Sequence, residues 1–315
     1  MRKDRLQNKV ATSHLTFPFA VLLSTLLWWS EGRYSHSLML GWGICCLMTY
    51  LWVETNNAYS LLRVRSRMTP ALYALLMGAM FFLHPLRDCS YVAGCMLASY
   101  YLLFGAYQQP QAIQPMFHAF LCIGIGSLFF PQILYFVPFY LWYSSLHLHA
   151  LTWRTFWAAM TGILLPYWFM AGYYLYSGDF GPFLDHIAKL AVFQPLDRTN
   201  YSAWDLSRIL SFSYVAFFSL IGIVHYVRTS FNDKIRTRMY LYILMTQEIL
   251  IAAFLLLQPV HSDMLFGLLV MNSVPFISHY FTLTHSRLSH IMFILFILGF
   301  ITLTTINAWI HLSTY

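Results

Sequence analysis

The chain has 315 residues, of which 59% are hydrophobic and only 9% charged, with a formal net charge of +7. A water-soluble domain carries roughly 25% charged residues, so the composition excludes one and specifies a membrane protein. The positive charge does not point to nucleic acid, because the bases fall in short clusters between apolar segments, as the positive-inside rule requires.

A helix that crosses a bilayer needs about 20 apolar residues. Eleven segments reach or approach that length: 14–30, 36–53, 69–84, 89–108, 112–129, 131–150, 155–177, 205–227, 237–258, 262–281 and 290–311. They predict an all-α fold, a polytopic transmembrane helix bundle of about eleven spans that makes residues 1–315 a single integral membrane domain. Ten or twelve spans stay open, because 69–84 is short and two segments nearly fuse at Phe130-Pro131. The first segment follows a basic start but has no small-x-small cleavage site, so it reads as an uncleaved span. Pro70, Pro85, Pro110, Pro131 and Pro259 mark span ends, while Pro138, Pro166 and Pro275 fall inside spans and predict kinks.

Lys and Arg in the short loops set the orientation. A cytoplasmic N-terminus puts thirteen of them inside and five outside, the five being Arg33, Arg87, Lys189, Arg198 and Arg208. Most acids then lie outside, and so does the C-terminus, on the periplasmic face. The five cysteines, Cys45, Cys46, Cys89, Cys95 and Cys122, lack the spacing of a disulfide framework or zinc site and read as small apolar filler.

The longest polar interval follows the seventh span, as a periplasmic loop over 178–205. Within it FLDHIAKLAVF puts Phe183, Ile187 and Leu190 on one helical face and spaces Asp185 and Lys189 as an i,i+4 pair, which predicts an interfacial amphipathic helix. As a lid or strut this helix needs no chemistry. As a site, Asp179, Asp185 or His186 supplies a base, and Arg198 or Arg208 a guanidinium whose fork matches two phosphate oxygens.

Glu248 sits mid-span in IRTRMYLYILMTQEILIAAFLLLQ. A charge at that depth costs roughly 2.5–3.5 kcal/mol on insertion scales, so this acid is protonated, paired or facing water. Asn272 lies at similar depth in the next span and is its expected partner; Gln247 is adjacent. The alternative is a neutral acid in an interhelical hydrogen bond. His147, His149, His279, His285 and His290 map near the cytoplasmic face, but H-L-H and a loose H-x5-H-x4-H are not the dense boxes of iron oxygenases, so no metal is expected.

Two resemblances add to this. Asn57 with LLRVRSRMTP, Leu83-His84-Pro85, Phe129-Phe130-Pro131, Trp153-Arg154 through Leu165-Pro166-Tyr167-Trp168, KIRTR and Pro275 with His279-Tyr280-Phe281 resemble stretches of a family of bacterial polytopic inner-membrane proteins of unassigned activity. That resemblance implies a bacterial inner-membrane address. Glu31, just after the first span, resembles in position the acid that membrane glycosyltransferases of the GT-C class keep there as general base or acceptor-positioning group. In that class the first outer loop is long, whereas here it has roughly seven residues. The likeness implies a polyprenyl-phosphate-linked substrate and no other cofactor.

Three function classes follow. One is glycosyl transfer on a lipid-linked glycan at the outer leaflet, with Glu31 or Asp179 as catalytic acid and Arg198, Arg208 and His186 binding substrate. The second is a transporter or flippase that uses Glu248 and Asn272 and must open Glu248 to a cavity. The third is a non-catalytic scaffold among envelope-complex subunits, which leaves an apolar groove open on one flank. In all three the lipid bilayer is a partner and nucleic acid is not.

Overall fold

The computed structural model describes residues 6–30, 35–64, 66–84, 87–193 and 204–314. Every regular element among them is a helix. In chain order these are α1 (Leu6–Thr12), α2 (Thr16–Trp29), α3 (His36–Tyr59), α4 (Met68–Ala79), α5 (Arg87–Phe104), α6 (Ile113–Phe129), α7 (Val137–Leu146), α8 (Trp153–Ser177) and α9 (Gly181–Ala188). Then come α10 (Leu206–Thr229), α11 (Ile235–Leu257), α12 (Ser262–Leu283) and α13 (Arg287–Thr314). With adjoining turns, α3, α10, α11, α12 and α13 are long and apolar enough to cross a membrane, and the pair α1 and α2, bent by 89° between them, makes a sixth. These are the helices of a membrane protein.

Local chemistry explains several boundaries. Ser35 caps α3 by accepting the Leu38 N–H at 3.2 Å. A reciprocal box of Thr152 and Thr155 starts α8, and Gly178 at φ 75° stops it, a left-handed conformation that glycine adopts without cost. Pro166 and Pro275 do lie inside helices. Pro138 does not; it occupies the first turn of α7, where an amide has no helical acceptor and proline's missing N–H loses nothing. The expected span 69–84 is a short helix, α4, followed by a 3-10 turn at Phe81–Leu83. Twelve residues rise about 18 Å, short of a hydrocarbon core of roughly 30 Å. Nearly all of α4 is buried in protein, where irregular backbone at membrane depth is tolerated.

Contacts group the chain into two compact units. The smaller holds Tyr91–Leu196 and Met239–Ile243. In it α6 packs on α8, and the two run parallel: Thr152 bonds the Pro110 carbonyl at one end, and Gly124 meets Ile163 and Pro166 farther along.

The larger unit holds Met1–Ser90, Asp197–Arg238 and Leu244–Tyr315. Its core is α12, buried along almost its whole length, with α1, α4, α10 and α13 packed on it. Helix α10 runs parallel to α12, since contacts advance together along both: Arg208 with Asp263, Phe212 with Phe266, Gly222 with Phe276, His225 with His279. Helix α4 runs antiparallel to α12, from Thr69 on Ser278 to Phe82 on Phe266 just past its end. Helix α13 is antiparallel to α10: Ser207 meets Asn307, and Tyr214 meets Phe296. A β-carbon at Gly222 would stand 2.4 Å from the Phe276 carbonyl oxygen, so only glycine lets the pair approach this closely.

Gly222→Ala therefore forces α10 away from α12. Overpacking of this kind costs about 1–3 kcal/mol, more than the roughly 1 kcal/mol of helix propensity that alanine returns. The expected outcome is a lower melting temperature in detergent for Gly222→Ala, against an unchanged or raised one for Gly43→Ala, where no atom lies within 4 Å of the new methyl.

Candidate functional site

Helices α10, α11 and α12 of the larger unit meet around a buried acid. Glu248 lies on the inward stripe of α11 with Leu244, Ile251 and Leu255, and is 4% exposed. Its Oε1 accepts from Ser219 of α10 at 3.0 Å and from Ser273 of α12 at 2.6 Å. Its Oε2 is buried with no hydrogen-bond partner among the described residues. Asn272, the expected partner, does not bond it; its amide nitrogen reaches the Leu244 carbonyl at 3.5 Å, and its Oδ1 is buried without a donor. The Ser273 hydroxyl takes the role instead, while the Asn272 amide is spent on the α11 backbone. Glu248 is closed off by packed side chains and opens to no cavity described below.

A second cluster sits near the α10–α11 turn. Asp233 is 6% exposed, with Arg63 Nε 2.6 Å from Oδ1 and His279 Nε2 3.5 Å from Oδ2. His225 adds a ring 5.5 Å from that of His279. The Arg63 N–H bonds are not aimed at the carboxylate, so neither Asp233 oxygen is hydrogen-bonded among the described residues and the attraction is Coulombic. No three His, Cys, Asp or Glu side chains among the described residues are spaced to hold a metal ion.

Two apolar grooves flank α2 in the same unit. The first, about 720 Å³, includes Phe17, Val21, Trp42, Cys46 and Tyr50, with Arg67 as the one charged residue of its lining. The second, about 630 Å³, includes Phe19, Leu23, Leu72, Phe296 and Phe300, with Lys9 as its one charged residue. Both cations sit at the α1–α2 bend. The Ser66 hydroxyl, next to Arg67, donates to the Ala11 carbonyl at 2.7 Å, and the Arg67 guanidinium lies 6.0 Å from the Phe17 ring. Gln7 pins α1 by donating to the Phe281 carbonyl at 2.7 Å and the Thr284 carbonyl at 3.0 Å while accepting from Ser289 at 3.0 Å.

Of the expected outer-face residues, Asp179, His186 and Arg208 have local contacts. Glu31 and Arg198 lie outside the described residues. Asp179 is exposed and accepts the Gly181 N–H at 3.0 Å, closing the turn into α9. Helix α9 is the expected amphipathic helix over the first part of the loop, with Leu184 and Ile187 exposed. His186 Nε2 bonds the Ser127 carbonyl at 3.1 Å, and partial burial lowers the imidazole below its usual value. Arg208 is held by Asp263 at 2.8 Å and Asp205 at 3.4 Å, with its guanidinium 5.6 Å from the Phe82 ring. Its fork is thus occupied by carboxylates.

Sequence reasoning missed Asp233 and its cluster. The signal was an acid among the bases of FNDKIRTR, a side where the orientation calls for positive charge. Comparison with protein-family models, with curated proteins and with solved structures finds no match to this chain.

Replacing Arg63 with Gln strands the Asp233 carboxylate without its cation. Breaking a buried pair costs roughly 3 kcal/mol at the low end, the end expected here because solvent screens the one-third-exposed Arg63. Arg63→Gln should lower the melting temperature in detergent, and adding Asp233→Asn should recover most of the loss. A double variant no better than the single one would show that the pair is not coupled.

Proposed function

We propose that the protein is an eleven-span bacterial inner-membrane protein, N-terminus inside and C-terminus outside, that binds a phosphate-bearing lipid in the grooves beside α2. The crossing pattern draws support from helix direction: in an alternating chain α2 and α4 run the same way, as do α10 and α12, and α13 opposes α10. The contacts of each pair agree, including Ser24 with Ala74 and Phe17 with Arg67 for α2 and α4. On this reading α4 and α7 cross together with their flanking turns.

The observation that carries the lipid reading is the pairing of each groove with a single cation at the same end. Apolar walls accept acyl or prenyl chains, and Lys9 and Arg67 stand at the height of the cytoplasmic headgroups. Each such base near an anionic surface contributes about 1 kcal/mol. Open apolar grooves are also what a scaffold requires. The transporter reading loses support because Glu248 is sealed. Outer-face glycosyl transfer rests on Glu31 and Arg198, since Asp179 and Arg208 are committed to local contacts.

The test is native mass spectrometry of the full chain purified in mild detergent and offered phosphatidylglycerol, a polyprenyl phosphate or phosphatidylcholine. Wild type should retain one or both anionic lipids over phosphatidylcholine. Lys9→Gln with Arg67→Gln should weaken retention roughly 30-fold, the equivalent of about 2 kcal/mol. Leu23→Trp and Cys46→Trp should lower retention by filling the grooves while leaving the charges in place. Equal retention of all three lipids contradicts the reading, and the relative yield of the two anionic lipids identifies the chain type.

A further inference from the structure

The geometry around Glu248 points to a proton-binding site: we infer that Glu248 carries a proton at neutral pH, and that this proton keeps α11 closed against α10 and α12. The argument is one of proton accounting. The Ser273 hydroxyl has a single proton and two acceptors within reach, Glu248 Oε1 at 2.6 Å and the Leu269 carbonyl at 2.6 Å. It can serve only one of them at a time. A proton on Glu248 removes the competition, because Ser273 then keeps its own on Leu269 and accepts from the acid. Ser219 donates to Oε1 in either case.

Among the described residues, the hydrogen bonds of the Glu248 carboxyl come from uncharged serines. The stretches of α10 and α12 around it present Val215, Phe218, Ser219 and Gly222, and Leu269, Asn272 and Ser273. Helix α4, which also packs on α12, carries no acidic or basic residue. On α13 the ionisable side chains Arg287, His290 and His311 lie toward the helix ends. The nearest side chains along the trio able to carry a positive charge are His225 and His279, six residues or about 9 Å from Ser219 and Ser273, and Arg238, ten residues or about 15 Å along α11.

Among the described residues, Glu248 Oε2 has no donor in either state, and ionisation would add a buried negative charge to it in a trio whose Asn272 Oδ1 also lacks a donor. The reaction is simple protonation, a carboxylate plus a proton giving the acid, with the proton exchanged with water when the trio opens. A buried, proton-carrying acid linking three helices is a device for coupling pH or proton binding to their separation. This inference stands apart from the lipid reading, since neither groove includes Glu248.

Infrared difference spectroscopy of the full chain in liposomes tests it. Wild type should show a protonated-carboxyl carbonyl band at neutral pH that is lost on alkalinisation, and Glu248→Gln should lack that band. Ser273→Ala should keep the band but shift it to higher frequency, because one hydrogen bond is gone; a purely structural acid without the proton would show no such shift. Wild type should also lose thermal stability in alkaline buffer, where Glu248→Gln stays level. A protonated-carboxyl band that survives in Glu248→Gln, or no such band in wild type at neutral pH, overturns the inference. Should Glu248→Gln fail to fold, the wild-type band and its shift in Ser273→Ala decide alone.

Discussion

The close parallel contact of α10 with α12 at Gly222 sets the relative height of the polar groups that these two helices carry. With a glycine against the Phe276 carbonyl, the two helices lie in register over their length. Ser219 and Ser273 are then level and bracket one carboxyl of α11. A turn and a half further on, His225 and His279 are level and meet beside Asp233. At the opposite end the same register brings Arg208 to Asp263. A slip of one turn, about 5.4 Å, would bury all three groups without partners, so packing and polar pairing reinforce each other.

The grooves arise from the same architecture by a different route. The short helix α4 is surrounded by protein, and α2 leans on it through the Ser24 hydroxyl, 2.7 Å from the Ala74 carbonyl. Because α1 turns by 89° from α2 and is pinned by Gln7, α2 stands with open flanks on both sides and a cation beside each. On the proposed reading these flanks are filled by the chains of a lipid.

Much of the helical framework was legible in the chain, because hydrocarbon length and short basic loops are strong constraints. Glu248 was legible as the one acid at mid-span depth, and its inward direction follows from the spacing of Leu244, Glu248, Ile251 and Leu255. Its partners were not. Depth can be counted along a helix, but which α11 group Asn272 and Ser273 each meet, the Leu244 carbonyl or the Glu248 carboxyl, depends on how tertiary packing rotates α12. The partner of Asp233 was illegible for a different reason: Arg63 is far away in sequence, and only tertiary packing joins them. Asp179 was read for its charge, and the backbone uses that carboxylate to close a turn. Pro138 was read as a kink where a 3-10 segment had already ended and a helix was beginning.

The central claim is the in-register parallel pair, and distance-limited cross-linking tests it most directly. In a chain with its five cysteines replaced, Phe212→Cys with Phe266→Cys should cross-link efficiently in membranes through a short bifunctional thiol reagent, because the two rings lie 6.4 Å apart. Phe212→Cys with Phe276→Cys, almost three turns out of register, should not. Efficient cross-linking of the second pair, or none of the first, would contradict the account.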